Sequence, residues 1–220
     1  MRYLILCAAD RSKYKVALSV LKFFIQEHKK EKENIFVCVV DADTEICNFL
    51  KKKKIKFINK DIKNFLNNMQ TDSYDWLLNI WSPLIYKIKI LKKIKKNLNL
   101  HPSYLPFAKG KDPYVWSVEK QFPIGVTIHE MNSKIDYGKV FVQKKIKMDF
   151  PYTGGDVFNN TLKECIELFK LNWKKIAENK IKKKDLVKIK TKTYKRKDLI
   201  NNNLIDLDNK KNFFIKKYIY

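Results

Sequence analysis

Glycine is scarce in this chain, with five in 220 residues. No G-x-G-x-x-G follows the first apolar run, so dinucleotide binding is not indicated, and no Gly-rich phosphate cradle is available. Cysteine is scarce too. Cys7, Cys38, Cys47 and Cys165 are scattered, with no C-x-x-C pair and no histidine cluster. They read as free buried thiols in a reducing cytosol, not as a metal site or a disulfide framework. No apolar run reaches the roughly 20 residues that span a bilayer. The opening MRYLILCAADRSKY meets charge too soon for a signal peptide and reads as a first strand. A cytoplasmic protein with no metal and no membrane partner is expected, and no internal repeat is visible.

Acidic residues are outnumbered, 23 Asp and Glu against 47 Lys and Arg, for a net charge of +24. Such an excess suits an anionic partner such as RNA or a phosphorylated substrate. Its distribution argues for caution. Residues 97–170 carry 10 basic against 8 acidic side chains, whereas residues 180–220 carry 14 against 4. A compositional bias toward Lys, Asn and Ile accounts for the excess more simply than an anionic partner does.

At 220 residues and 45% hydrophobic content the chain can bury a substantial core. Apolar runs at 3–9, 35–40, 55–58 and 76–81 read as strands buried on both faces. Between them, Val16, Val20, Phe23 and Phe24, then Ile46, Phe49 and Leu50, then Ile62, Phe65, Leu66 and Met69 recur at helical spacing. Pro83 suits the first turn of a helix carrying Ile88, Leu91 and Ile94. Strands alternating with helices predict an α/β fold with a Rossmann-like, mostly parallel sheet flanked by helices. Further on, 114–119 reads as a helix, 125–129 and 140–146 as strands, and 132–138 as a loop. A long helix opens after Thr153, with Asp156 in an N-terminal capping role.

The stretch NLNLHPSYLPFAKG, residues 97–110, gathers an amide, an imidazole and a hydroxyl in Asn99, His101 and Ser103. Side chains two apart on a strand share a face. Pro102 and Pro106 end the strand, and Leu105–Pro106 is a candidate cis bond. On spacing alone, a polar turn with one surface histidine explains the stretch more simply than a reaction site.

The motifs add to that reading. Asn99-x-His101-Pro102-Ser103, PYVW at 113–116, and GVTIHEMNSKIDYG at 125–138 with Asp136-x-Gly138 together resemble the formyltransferase family that uses 10-formyltetrahydrofolate. Its members include glycinamide ribonucleotide, methionyl-tRNA and nucleotide-sugar N-formyltransferases. The likeness is strong over about 75–170 and rests on pattern elsewhere. It implies a catalytic domain over 1–179 and a short basic C-terminal appendage over 180–220, which either closes the site or forms a subunit contact. It also implies 10-formyltetrahydrofolate as formyl donor. The turn Trp81, Ser82, Pro83 and Leu84, with Ile135 and Asp136, would line the folate pocket. Asp10, Arg11, Ser12, Ser103 and Lys109 would lie on the acceptor side, with Ser103 supporting its loop.

Formyl transfer to an amine needs a neutral nucleophile, donors for an oxyanion, and a route for one proton. The resemblance assigns Asn99 and His101 to the formyl oxygen, gives His101 a share in the proton traffic, and makes Asp136 the base or the residue that positions a water. His129 would stand beside them in a supporting position, or simply be a structural histidine. AADRSKY lacks the phosphate loop of the purine enzyme, and the segment after the last long helix is too short for the barrel of the tRNA enzyme. HPSYLPFAKGKDPYVW followed by GVTIH resembles most the enzymes that formylate nucleotide-linked amino sugars, so such a sugar is the expected acceptor, with methionyl-tRNA or glycinamide ribonucleotide as alternatives and a homodimer possible. The alternative of another class is a basic nucleic-acid-binding protein, with Tyr194, Phe213, Phe214 and Tyr218 among the lysines.

Overall fold

The computed structural model describes residues 1–9, 12–149 and 152–201. In chain order the elements are β1 (Tyr3–Cys7), α1 (Val16–Glu27), β2 (Ile35–Val39), α2 (Thr44–Lys52), β3 (Lys56–Ile58), α3 (Ile62–Asn68), β4 (Trp76–Ile80), α4 (Ile88–Leu91) and β5 (Lys96–His101). Then come β6 (Lys109–Gly110), α5 (Pro113–Glu119), β7 (Gly125–His129), β8 (Val140–Lys145), α6 (Gly154–Ala177), β9 (Thr193–Tyr194) and α7 (Arg196–Asn201). Seven strands form the main sheet, and β6 and β9 form a small second one.

Contacts divide the chain into two units, Met1–Leu100 with Glu130–Lys134, and His101–His129 with Ile135–Tyr220. The first unit is the parallel one. Its strands run in the order β3-β2-β1-β4-β5, each pair parallel. Every residue of β1 and β4 is buried, which is why both read as unbroken apolar runs rather than alternating ones. One face packs Leu4, Leu6, Cys38 and Leu77 against Ile62, Leu66, Ile90 and Leu91 of the helices.

The helix expected from Pro83 is four residues long, at 88–91. Trp81 takes a left-handed φ of 67°, and Ser82 Oγ accepts from Leu84 N at 3.2 Å. Tyr86 turns inward and is buried. A hydroxyl that accepts a backbone N–H two residues on offers the chain a turn in place of a helical first turn. The segment from Ser82 to Lys87 therefore runs as irregular backbone.

The second unit pairs β7 with β8 antiparallel. α6 packs against that pair and against α5. Thr153 is the N-cap of α6, and Asp156 at the third position answers it in a capping box, so Asp156 serves the helix start as its second capping member. Leu105–Pro106 is cis. All four cysteines are buried and unbridged. Burial pushes the Cys38 thiol up to about 12. Among the described residues no helix is long and apolar enough to cross a membrane.

Candidate active site

Strand β5 carries Asn99 and His101 two residues apart, on one face by the alternation of a strand. In the second unit, His101 lies at the strand's end and Asp136 in the loop between β7 and β8. His101 Nδ1 stands 3.7 Å from Asp136 Oδ2. His129, the last residue of β7, brings Nε2 to 3.5 Å from Asp136 Oδ1. The two imidazoles meet edge to face, centroids 6.0 Å apart. All three side chains are buried, His129 at 1% exposure, His101 at 5% and Asp136 at 9%.

The carboxylate is held by its chain neighbours as well. Gly110 N donates to Asp136 Oδ2 at 2.7 Å. Next door, buried Lys109 places Nζ over the ring of exposed Tyr137, 3.5 Å from its centroid, a cation–π contact. Two consecutive residues of β6 thus grip two consecutive residues of the Asp136 loop. Strand β6 is held in turn from the C-terminal side. It pairs with β9, Lys109 opposite Thr193 and Gly110 opposite Tyr194. Lys111 N donates to Tyr194 O at 3.0 Å. Tyr194 stacks on Trp116, centroids 4.0 Å apart at 14°. Arg196 reaches Asp112 at 3.0 Å. Gly110 has φ 92°, and a Cβ there would overlap the Tyr194 carbonyl oxygen, so the position admits glycine alone.

Burial lowers the His101 imidazole from its usual value. Asp136 pulls the other way, and His129 adds to the lowering. Burial alone would raise the Asp136 carboxyl, but the two imidazoles and the Gly110 N–H hold it well below the usual carboxylate range. At neutral pH the pair is a carboxylate facing a neutral imidazole. Nε2 of His101 faces a second acceptor, Ala108 O, at 3.4 Å. A neutral ring has one N–H for two acceptors, while a protonated ring has one for each.

In the first unit, half-buried Asn99 joins an amide network with buried Asn79 and Tyr86. Asn79 Nδ2 donates to Asn99 Oδ1 at 2.7 Å, and Tyr86 Oη donates to Asn79 Oδ1 at 3.0 Å. Motif reading passed over Asn79 and Tyr86. The available signal is a lone amide within the apolar strand WLLNI.

The other expected positions fall as follows. Trp81, Ser82 and Leu84 are half-buried and Pro83 is exposed. Leu84 rests on the first unit's core. Ile135 is exposed. Ser103 is buried and its hydroxyl donates to Phe107 O at 2.9 Å, within its own loop. Lys109 is buried at 1% exposure. Ser12 Oγ accepts from Tyr14 N at 3.2 Å. Asp10 and Arg11 lie outside the described residues, as do Phe213, Phe214 and Tyr218. Among the described residues no group of three or more His, Cys, Asp or Glu side chains could hold a metal ion.

The chain is 31% identical over 61 residues to dTDP-4-amino-4,6-dideoxyglucose formyltransferase of Mycobacterium bovis, a match over 28% of this chain and 26% of that protein. The match thus spans about a quarter of that relative. Its fold is similar to a Helicobacter canadensis N-formyltransferase solved with folinic acid and dTDP-3-aminofucose. The TM-score is 0.74 at 20% identity, covering 90% of this chain and 72% of that one. It is also similar to phosphoribosylglycinamide formyltransferase of Anaplasma phagocytophilum, with TM-score 0.66 at 19% identity, covering 87% and 95%. The formyl transferase family matches residues 22–170, a span that holds Asn99, His101 and Asp136, and the chain belongs to that family.

Proposed function

We propose that the protein transfers a formyl group from 10-formyltetrahydrofolate to a primary amine, and that the amine belongs to a nucleotide-linked amino sugar. The buried His101–Asp136 pair at 3.7 Å, two residues along β5 from Asn99, is the observation that carries the reading.

The donor supplies an electrophilic formyl carbon whose oxygen gains negative charge as an amine adds. The turn 81–84 suits a flat folate ring, because half-buried Trp81 and Leu84 keep apolar surface in solvent. Asn99 offers amide hydrogens to the formyl oxygen. His101, neutral at pH 7, takes the proton of the attacking amine and returns it to the departing nitrogen. Once protonated, its ring has an N–H for each of Ala108 O and Asp136, so each acceptor then faces a donor in the state the reaction creates. A carboxylate held below its usual range is a weak base. Asp136 therefore orients the imidazole and balances its charge rather than accepting the proton itself. His129 and Gly110 keep the carboxylate in place.

The amino-sugar acceptor is supported by the sequence likeness to the Mycobacterium enzyme and by the missing phosphate loop at AADRSKY. A second reading, glycinamide ribonucleotide as acceptor, is favoured by the 95% coverage of the Anaplasma enzyme. Purified protein with 10-formyltetrahydrofolate should formylate a dTDP-linked amino sugar and leave glycinamide ribonucleotide untouched, read by mass spectrometry. The reverse result transfers the assignment to the purine acceptor. No product from either, with no release of tetrahydrofolate, removes the reading.

A further inference from the structure

We propose that Lys87, Lys89 and Lys92 bind the γ-linked oligoglutamate tail of the folate donor, so that the protein prefers a polyglutamylated folate to the monoglutamate. The inference rests on the turn 81–84 taking the folate ring, as argued above.

Residues 76–100 hold six lysines and no acidic side chain. Three of the six are engaged in holding the first unit together. Lys93 Nζ donates to Asn67 O at 2.7 Å and to Met69 O at 2.6 Å. Lys95 Nζ pairs with Asp75 at 2.9 Å, and Lys96 Nζ stands 5.4 Å from the centre of the Trp76 ring. Lys87, Lys89 and Lys92 do none of this. All three are exposed, and among the described residues none of them is paired with a carboxylate. Lys89 lies in α4 and Lys92 is its C-cap. Residues three apart on a helix are neighbours, about 5–6 Å between Cβ atoms, and like charges there repel. An anion laid along them relieves that repulsion.

The donor supplies such an anion. A folate consists, in order, of a flat ring, an apolar aminobenzoyl group and a glutamate. That glutamate can be extended through its γ-carboxyl, and each added residue leaves one free α-carboxylate. The first unit offers matching surface along its chain. Half-buried Trp81 and Leu84 come first. Exposed Ile85 and Ile88 follow, with the three lysines between and after them. Tyr86, Ile90 and Leu91 turn into the core, which leaves positions 85, 87, 88, 89 and 92 facing water. Apolar surface beside the ring site and unpaired cations beyond it suit the aminobenzoyl group and then the tail. A lysine-rich composition supplies cations everywhere, so the proposal turns on the place of these three and not on their number.

The test titrates the full chain with the monoglutamate and the pentaglutamate forms of folinic acid. The pentaglutamate should bind about tenfold tighter at low salt, the scale of two or three exposed ion pairs acting together. That advantage should shrink to under about twofold in roughly 0.5 M salt, where screening acts within a few ångströms. Lys87→Gln, Lys89→Gln and Lys92→Gln together should abolish the advantage, with monoglutamate affinity and the melting curve as in wild type. Lys51→Gln, Lys52→Gln and Lys53→Gln remove the same charge from exposed lysines elsewhere in the first unit, and that variant should keep the advantage. Equal affinity for the two forms overturns the proposal and leaves the folate reading standing. An equal loss in both triple variants also overturns it, since the preference then belongs to net charge alone. Binding of neither form removes the folate reading and the proposal with it. If the first triple variant fails to fold, Lys87→Gln and Lys89→Gln singly should each reduce the advantage, and an undiminished advantage in both overturns the proposal.

Discussion

The backbone N–H of Gly110 donates to the carboxylate of Asp136 at 2.7 Å. That bond ties the loop after the Asn-x-His motif to the loop that carries the acid, and it makes a residue without a side chain part of the site's geometry. Gly110 makes that bond from a φ of 92°, at a position where a Cβ would overlap the Tyr194 carbonyl oxygen.

Gly110→Ala should therefore damage both stability and turnover. The left-handed conformation alone costs an alanine about 1–2 kcal/mol, and the overlap with Tyr194 adds to it. A melting curve should fall by several degrees. Turnover in the fraction that stays folded should fall more than folate affinity does, because the carboxylate loses its anchor. A wild-type melting curve with wild-type turnover would show that β6 has slack the geometry denies.

Asp136→Asn should cost about 10²-fold or more in single-turnover rate, with melting and folinic acid binding little changed. Asn is nearly isosteric, but it carries no charge to balance a protonated His101. A variant keeping over about a tenth of the wild-type rate, under about 1.4 kcal/mol of barrier, would mean that His101 works without the carboxylate. His101→Gln should be as severe. The double variant should lose less than the product of the two single losses, since both act on one proton.

Acid should weaken the fold and the reaction together. The folded His101 holds its proton less tightly than an unfolded histidine, whose pKa is about 6.5. Below that pH the unfolded chain binds a proton that the folded chain refuses. Stability is then full above about 6.5 and is lost as pH falls beneath it. His28, whose ring packs at a tilt on both Tyr3 and Phe24, is lowered by burial and contributes with the same sign. The lowered Asp136 adds a further loss as pH falls through the unfolded carboxyl range near 4. Melting midpoints at pH 7.5 and 5.5 should differ in wild type, and His101→Gln should shrink that difference while His28 keeps part of it. A midpoint that rises on acidification would reverse the assigned direction.

Tyr194→Ala should cost about 3 kcal/mol, for a buried aromatic ring and its stack on Trp116. Tyr194→Phe keeps the stack and should stay near wild type in melting and in turnover. If the alanine variant loses stability but turns over normally at low temperature, the β6–β9 pairing has no bearing on Asp136.

The parallel strands were legible because each is buried on both faces and must be apolar along its whole length. Asn99, His101 and Asp136 could be singled out as candidates because residue types at fixed spacing match the family's motif. The helix after Pro83 was misread, since the apolar spacing of Ile88, Leu91 and Ile94 does not reveal that Ser82 closes a turn on Leu84. Nor could sequence pair Lys109 and Gly110 with Thr193 and Tyr194. Two-residue strands have no periodicity, and nothing local records a contact made across so much chain. Asn79 escaped for another reason: a single amide in an apolar strand looks like noise until its partners are seen.

The β6–β9 pairing sets an order on how the protein comes into being. A ribosome makes the chain from its N-terminus, and domains fold as they emerge. The parallel strands and the Asn-x-His segment are complete early, yet Gly110 meets its partner strand only once Thr193 and Tyr194 have been synthesised and released from the exit tunnel. Between the synthesis of Asp136 and the emergence of Tyr194, the nascent polypeptide thus holds Asp136 without the braced form of its anchor, and the pairing that completes it waits on residues 193–194.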